Sequence, residues 1–146
     1  TILLSCDRIA AGAFVAEKLS LRPSDEVYCI RRLRSVNGIN ISYHKSYVPA
    51  NLCPGLETQN LKNEQLCKII QEEYLLTRGR MVEKLESFTA DASKASYLQV
   101  EPGFPLILLQ DQLFTSDDVA YEFSCVFFRG DKIKIRTEYG GPSKWD

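Results

Sequence analysis

Arg32 and Arg34 stand two residues apart, and just beyond Asn37-Gly38 the residues Ser42, His44 and Ser46 repeat the same spacing. In an extended chain, residues two apart share a face, and Asn-Gly between two such runs signals a hairpin. A face with two guanidiniums, hydroxyls and an imidazole can hold a phosphate or carboxylate, because each guanidinium fork forms paired, charge-assisted hydrogen bonds with an oxyanion. The plainer reading is an ordinary solvated sheet face. Glu122 is the second candidate, since it interrupts the apolar run Tyr121 to Phe128. A carboxylate there either points to solvent or is kept to pair with a cation or accept ligand hydroxyls. Arg80 and Glu86, at the two ends of another extended segment, pose the same question more weakly.

The turn decides which side chains meet. A two-residue turn pairs Val36 with Ile39 and sets Arg32 opposite Tyr43. A turn with a bulge at Gly38 pairs Ser35 with Ile39, Arg34 with Asn40 and Arg32 with Ser42. Only the second sorts the residues cleanly, with Arg32, Arg34, Ser42, His44 and Ser46 on one face and Cys29, Leu33, Ile39, Ile41, Tyr43 and Tyr47 on the other. It is the register expected here.

The elements that must position this hairpin follow from periodicity. A first strand is expected over 1–6, then a helix over 8–19 with Asp7 as its N-cap. Strands follow over 27–36 and 39–48, then a shaped surface loop over 49–56 with two prolines and a glycine. Leu66, Ile69, Ile70 and Tyr74 recur at helical spacing and mark an amphipathic helix over 63–75. A strand over 80–88 leads to a short helix ending at Leu98 and capped by Thr89 or Asp91. Strands over 106–115, 120–128 and 133–139 complete the chain, with Arg129-Gly130-Asp131 as a turn in which Gly supplies a positive φ. Helices segregated among hairpins define an α+β fold, a mainly antiparallel sheet with helices packed on it.

The chain has 146 residues, 45% hydrophobic, enough for one domain and one core. A formal net charge of −1 gives no field that attracts a nucleic-acid backbone. No apolar run is long enough to span a bilayer, and no secretory signal is visible. Five scattered cysteines with no CxxC pair point to reduced thiols in the cytoplasm. One histidine leaves little for a zinc site, so no metal and no cofactor is expected. There is no GxSxG elbow and no glycine-rich phosphate loop, hence no evident catalytic machinery.

Over nearly its whole length the chain resembles a known pattern. Ile30 to Ile39, Ser46-Tyr47-Val48-Pro49 with Pro54-Gly55-Leu56, Leu98 to Leu106, and Tyr121-Glu122-Phe123-Ser124 with Phe128-Arg129-Gly130-Asp131 occur in the order of the UTRA domain. That domain is the effector-sensing half of HutC-subfamily GntR transcription regulators. The resemblance implies a chorismate-lyase-like fold over residues 1–140 with 141–146 as a tail, and a pocket on the sheet. It further implies a homodimer and a DNA-binding winged helix-turn-helix N-terminal to this chain. It assigns Arg32 and Arg34 to the effector's anionic group, often a sugar phosphate, and Glu122 to its hydroxyls or amines. Ligand contacts are expected from Arg32, Arg34, His44, Ser46, Arg80, Glu122 and Phe128. The chain departs from sugar-phosphate sensors of the family at His44, Cys67 and Phe128, which makes the pocket more apolar. A small acidic metabolite, no enzyme activity and DNA contact only through the other domain make up the expected function, a repressor being the expected sense of regulation. The competing expectation is a chorismate-lyase-type enzyme whose arginine pair holds a dicarboxylate.

Overall fold

A computed structural model describes residues 1–138 and Gly140. Six strands form one fully antiparallel sheet: β1 (Ile2–Ala10), β2 (Glu26–Val36), β3 (Ile39–Pro49), β4 (Arg78–Thr89), β5 (Pro105–Thr115) and β6 (Ala120–Arg129). Their spatial order is β1-β2-β3-β6-β5-β4. Helices α1 (Gly12–Leu19) and α3 (Ala92–Leu98) cover one face, with Val15, Leu19 and Leu98 packed on Leu33, Tyr43, Phe123 and Phe127. Helix α2 (Leu66–Tyr74) and the segment before it cover part of the other, with Ile69, Ile70, Leu56 and Cys53 packed on Tyr28, Ile30, Val48 and Tyr121. Fully burying a side chain of this size contributes about 1.5–3 kcal/mol, so each helix is held chiefly by its apolar stripe.

Local rules and tertiary pairing disagree at several places. The first strand runs on through Asp7, Arg8 and Ile9 because these pair with Cys29, Tyr28 and Val27. Asp7 is therefore not an N-cap, and α1 starts at Gly12, whose φ of +75° turns the chain. Asp91 does cap α3, its carboxylate accepting the Lys94 backbone N–H at 2.9 Å. The 49–56 loop is at the surface at Asn51 and Pro54, but it also buries Cys53 and Leu56 fully beneath α2. Helix α2 begins at Leu66 rather than 63, after a run of turns.

No strand forms over 133–138, and Tyr139 and the expected tail at 141–146 lie outside the described residues. The reason is topological: β6 already has β3 on one side and β5 on the other, so a tight turn after Arg129 leads to no free edge. Gly130 does not adopt a positive φ. It is required by close approach, because a Cβ there would lie 2.8 Å from the Pro105 carbonyl oxygen.

The β2–β3 turn also differs from the expected register. Asn37 and Gly38 have φ of 52° and 79°, which suits a two-residue type I′ turn, and Val36 pairs with Ile39. One residue is then bulged out near Ile41, so that Arg34 opposes Ser42 and Arg32 opposes His44. The expected pairings of Arg34 with Asn40 and Arg32 with Ser42 are both off by two residues. A shift of two leaves every side chain on its original face.

Candidate functional site

Cross-strand rows explain why a cavity opens on the α2 face. The row Ile30, Ser46, Ser124, Asp111, Glu83 crosses five strands. Its centre is two paired serines, too small to fill the space under α2. The flanking row places Arg32, His44 and Val126 side by side. The result is a cavity of about 660 Å³, within the ~300–1,000 Å³ range of small-molecule sites. Arg32, Arg34 and His44 form one wall, and Arg78, Asp111 and Glu122 the other. Asn63, Gln65 and Cys67, around the start of α2, form the rim.

Four of the seven expected site residues, Arg32, Arg34, His44 and Glu122, line this cavity together. Ser46 is buried at 3% exposure beside Ser124 and does not reach the lining. Phe128 packs edge-on against the His44 ring, 6.3 Å between centroids, and also stays outside it. Arg80 points away: its guanidinium lies over the Phe114 ring at 4.0 Å and pairs with Asp118 at 3.1 Å. Arg78 takes its place, because an irregularity between Arg78 and Met81 adds a residue to β4 and brings Arg78 to the cavity face.

Asp111 gives a weaker signal than Glu122, being the one carboxylate of β5 but flanked by Gln110 and Gln112. The contributions of Asn63, Gln65, Cys67 and Arg78 carry no such local mark.

The cavity gathers cations and carboxyls whose charges are only partly matched. Among the described residues no ion pair involves Arg32, Arg34 or Arg78. Burial pulls the Arg32 guanidinium below its ordinary range, with Glu122 opposing that fall. His44 is pushed down to about 4 by burial and then by Arg32 and Arg34, so its ring is neutral at pH 7. The same ring shares a 2.8 Å hydrogen bond between Nε2 and Ser42 Oγ. Burial lifts Glu122 to about 7 against the pull of Arg32, and Asp111 to about 7 with help from Glu83. Leaving a partly buried charge without a counter-ion is costly. Of the three arginines that line the cavity only Arg32 is partly buried, Arg34 and Arg78 being exposed, and guanidiniums so grouped can accept an oxyanion.

The sheet, its helices and this cavity together define an α+β ligand-sensing architecture, and the comparisons with known proteins agree. The UTRA domain family matches residues 1–134. The chain belongs to that family, a UTRA domain of the type found in GntR-family transcriptional regulators, and has its chorismate-lyase-like fold. It is 25% identical over 116 residues to YurK of Bacillus subtilis, an uncharacterized HTH-type transcriptional regulator, covering 80% of this chain and 48% of YurK. It is 26% identical over 133 residues to the HTH-type transcriptional repressor PhnF of Mycolicibacterium smegmatis, covering 90% of this chain and 54% of PhnF. The chain thus spans about half the length of these curated relatives. Among solved structures, the ligand-binding domain of a protein assigned to the GntR family from Bordetella bronchiseptica superposes with a TM-score of 0.86. It is 28% identical, over 94% of this chain and 88% of that one. The C-terminal domain of YurK superposes with a TM-score of 0.89 at 22% identity, over 94% and 95% of the two chains. No helix among the described residues is long and apolar enough to cross a membrane.

Proposed function

We propose that this domain senses a small anionic metabolite, a sugar phosphate being the leading class, and so controls operator binding by a winged helix-turn-helix attached N-terminal to it in a longer cytoplasmic protein. The observation that carries the reading is the group Arg32, Arg34 and Arg78, three cations in one cavity with no ion-pair partner among the described residues. Arg32 and Arg34 clamp the anion, and His44, held neutral beside them, adds no charge and offers Nδ1 to the ligand while Nε2 bonds Ser42. Repression is the proposed sense of regulation, as in the relative PhnF, which is described as a repressor.

The domain acts as a homodimer in this reading. Strand β4 is an edge strand of twelve residues, exposed along nearly its whole length, and Val82 and Leu85 are among its exposed apolar side chains. A long uncovered edge of this kind is a template on which another chain can pair. Effector binding then favours one arrangement of the dimer, and can weaken operator binding only as far as it distinguishes the arrangements.

A thermal-shift screen of the domain against sugar phosphates, free sugars, dicarboxylates and amino acids tests the proposal. Saturation at a hundred times Kd adds about 2.7 kcal/mol, several degrees in a domain of this size. The expected result is a shift with phosphorylated compounds that Arg32→Ala abolishes. A shift that survives Arg32→Ala, or one confined to uncharged compounds, refutes the anion clamp.

A further inference from the structure

The face of the sheet under α1 and α3 carries one polar row between two apolar ones. Ser5, Arg31, Lys45, Cys125, Gln110 and Lys84 stand side by side across all six strands. Helix α1 lies over the row on one side, where Phe14 meets Phe123 at 5.6 Å between ring centroids and the Gln112 amide donates to the Lys18 carbonyl at 3.1 Å. Helix α3 lies over the row on the other side, where Tyr97 stacks on Tyr43 at 4.5 Å and the Lys94 ammonium stands 4.9 Å from the centre of the Phe127 ring. The two flanking rows are four residues apart along the strands, about 13 Å, whereas packed helices lie about 8–10 Å apart. The polar row therefore floors a cleft between the two helices.

Four cations meet in this cleft. Arg31 and Lys45 are direct cross-strand neighbours in its floor, Lys18 comes from the α1 wall and Lys94 from the α3 wall, and all four are half-buried. Lys45, Lys94 and Lys18 each favour the thiolate of Cys125 in the floor, against the effect of burial, so three ammonium groups from three elements converge on one place. Arg31 donates to two neutral groups, Ser5 Oγ at 2.8 Å and the Tyr97 hydroxyl at 2.9 Å. Lys94 pairs with Asp91 at 3.0 Å, but among the described residues no ion pair involves Lys18, Arg31 or Lys45. The sheet carboxylates of this face, Asp7 and Glu86, stand on the edge strands β1 and β4 at the ends of the cleft. Like charges directly opposite one another on neighbouring strands are destabilising, and an anion between them removes that cost.

We propose that this cleft is a second anion site, on the face of the sheet opposite the effector cavity, and that it takes a compact anion of three or more charges, of the polyphosphate class. A singly charged anion would leave most of the converging charge unmatched. Ammonium groups on flexible stems act as point charges with three donors each, which suits the several oxygens of a phosphate chain better than one planar carboxylate. Arg31 and Lys45 adjoin Arg32 and His44 in the chain with side chains on the other face, so the two sites lie back to back on β2 and β3. An anion in the cleft ties α1 and α3 to β3 and stabilises the folded domain.

The test is calorimetric titration of inorganic tripolyphosphate and orthophosphate into the wild type and into Arg32→Ala, which disables the effector cavity. Each background also carries Lys45→Gln, Lys18→Gln or, as a control of equal charge, Lys68→Gln on the exposed side of α2. Tripolyphosphate should still bind Arg32→Ala, more tightly than orthophosphate does. Lys45→Gln and Lys18→Gln should each weaken that binding about ten-fold, the effect of losing one charged hydrogen-bond partner, while Lys68→Gln leaves it nearly unchanged. Thermal melts confirm that the variants fold, and where Arg32→Ala does not, the same lysine comparison in the wild type decides. Binding that vanishes with Arg32→Ala and ignores Lys45 and Lys18 belongs to the effector cavity and overturns the inference. Equal weakening by all three lysine changes marks diffuse attraction and overturns it too, as does the absence of binding.

Discussion

Glu122→Gln should stabilise the unliganded domain, and increasingly so as pH rises. The folded protein holds the Glu122 carboxyl near 7, above its ordinary 4.5, because burial penalises the carboxylate. The folded state therefore binds more protons than the unfolded one between those values, and stability falls as pH rises through the window. Each tenfold difference in proton affinity between the two states is worth about 1.4 kcal/mol. Relative to a group that does not titrate, the loss is then about 1 kcal/mol at pH 5 and about 3 kcal/mol at pH 8. The difference of about 2 kcal/mol or slightly more, divided by an unfolding entropy of about 2.1 cal/mol/K per residue over the chain, corresponds to roughly 8 °C in Tm.

His44 works the other way: its folded value of about 4 lies below the ordinary 6.5, so its contribution is lost as pH falls through that range. Wild type and variant share this effect, and their difference cancels it. The assay is thermal denaturation of both proteins at pH 5, 6, 7 and 8, read as the difference in Tm. A difference that stays constant across the range, or shrinks as pH rises, refutes the claim that Glu122 is buried at a cost to the fold. Loss of stability for the sake of a binding group is the ordinary trade at functional sites.

Gly79→Ala should unseat the start of β4, because the new Cβ would run into the Thr115 backbone oxygen. A lowered Tm with weaker effector binding, through displaced Arg78, is expected, and an unchanged Tm would show that the bulge relaxes. Ile70→Ala removes a fully buried side chain of α2 and should cost about 2–5 kcal/mol in denaturant titration; a cost well under that range would mean that α2 is not held by this contact. Val82→Glu with Leu85→Glu should convert the proposed dimer to monomer in light scattering, and an unchanged mass would place the interface away from β4.

Much of the site was legible because a face depends only on parity. Arg32, Arg34, Ser42, His44 and Ser46 stay together whether Arg34 opposes Asn40, as the turn suggested, or Ser42, as it does. Glu122 announced itself as a lone carboxylate in an apolar strand. Asp111, flanked by Gln110 and Gln112, carries no such mark. Arg80 fails on simple parity, since it alternates with Met81 and Glu83 and so lies away from the cavity, whereas Arg78 was missed because a bulge in β4, invisible to periodicity, brings it to the cavity face. The expected strand beyond Asp131 failed because the order of strands is a property of the whole sheet.

By itself, then, the sequence determined the class of fold, the hairpin that carries the arginines, and the family, because side-chain period and turn chemistry act over a few residues. Only the tertiary structure decided that β6 lies between β3 and β5, that two serines leave a hollow under α2, and that Asp111 and Arg78 share it with Arg32. Those outcomes depend on contacts between residues dozens of positions apart. Their energies come from burying one element against another, which no local pattern encodes.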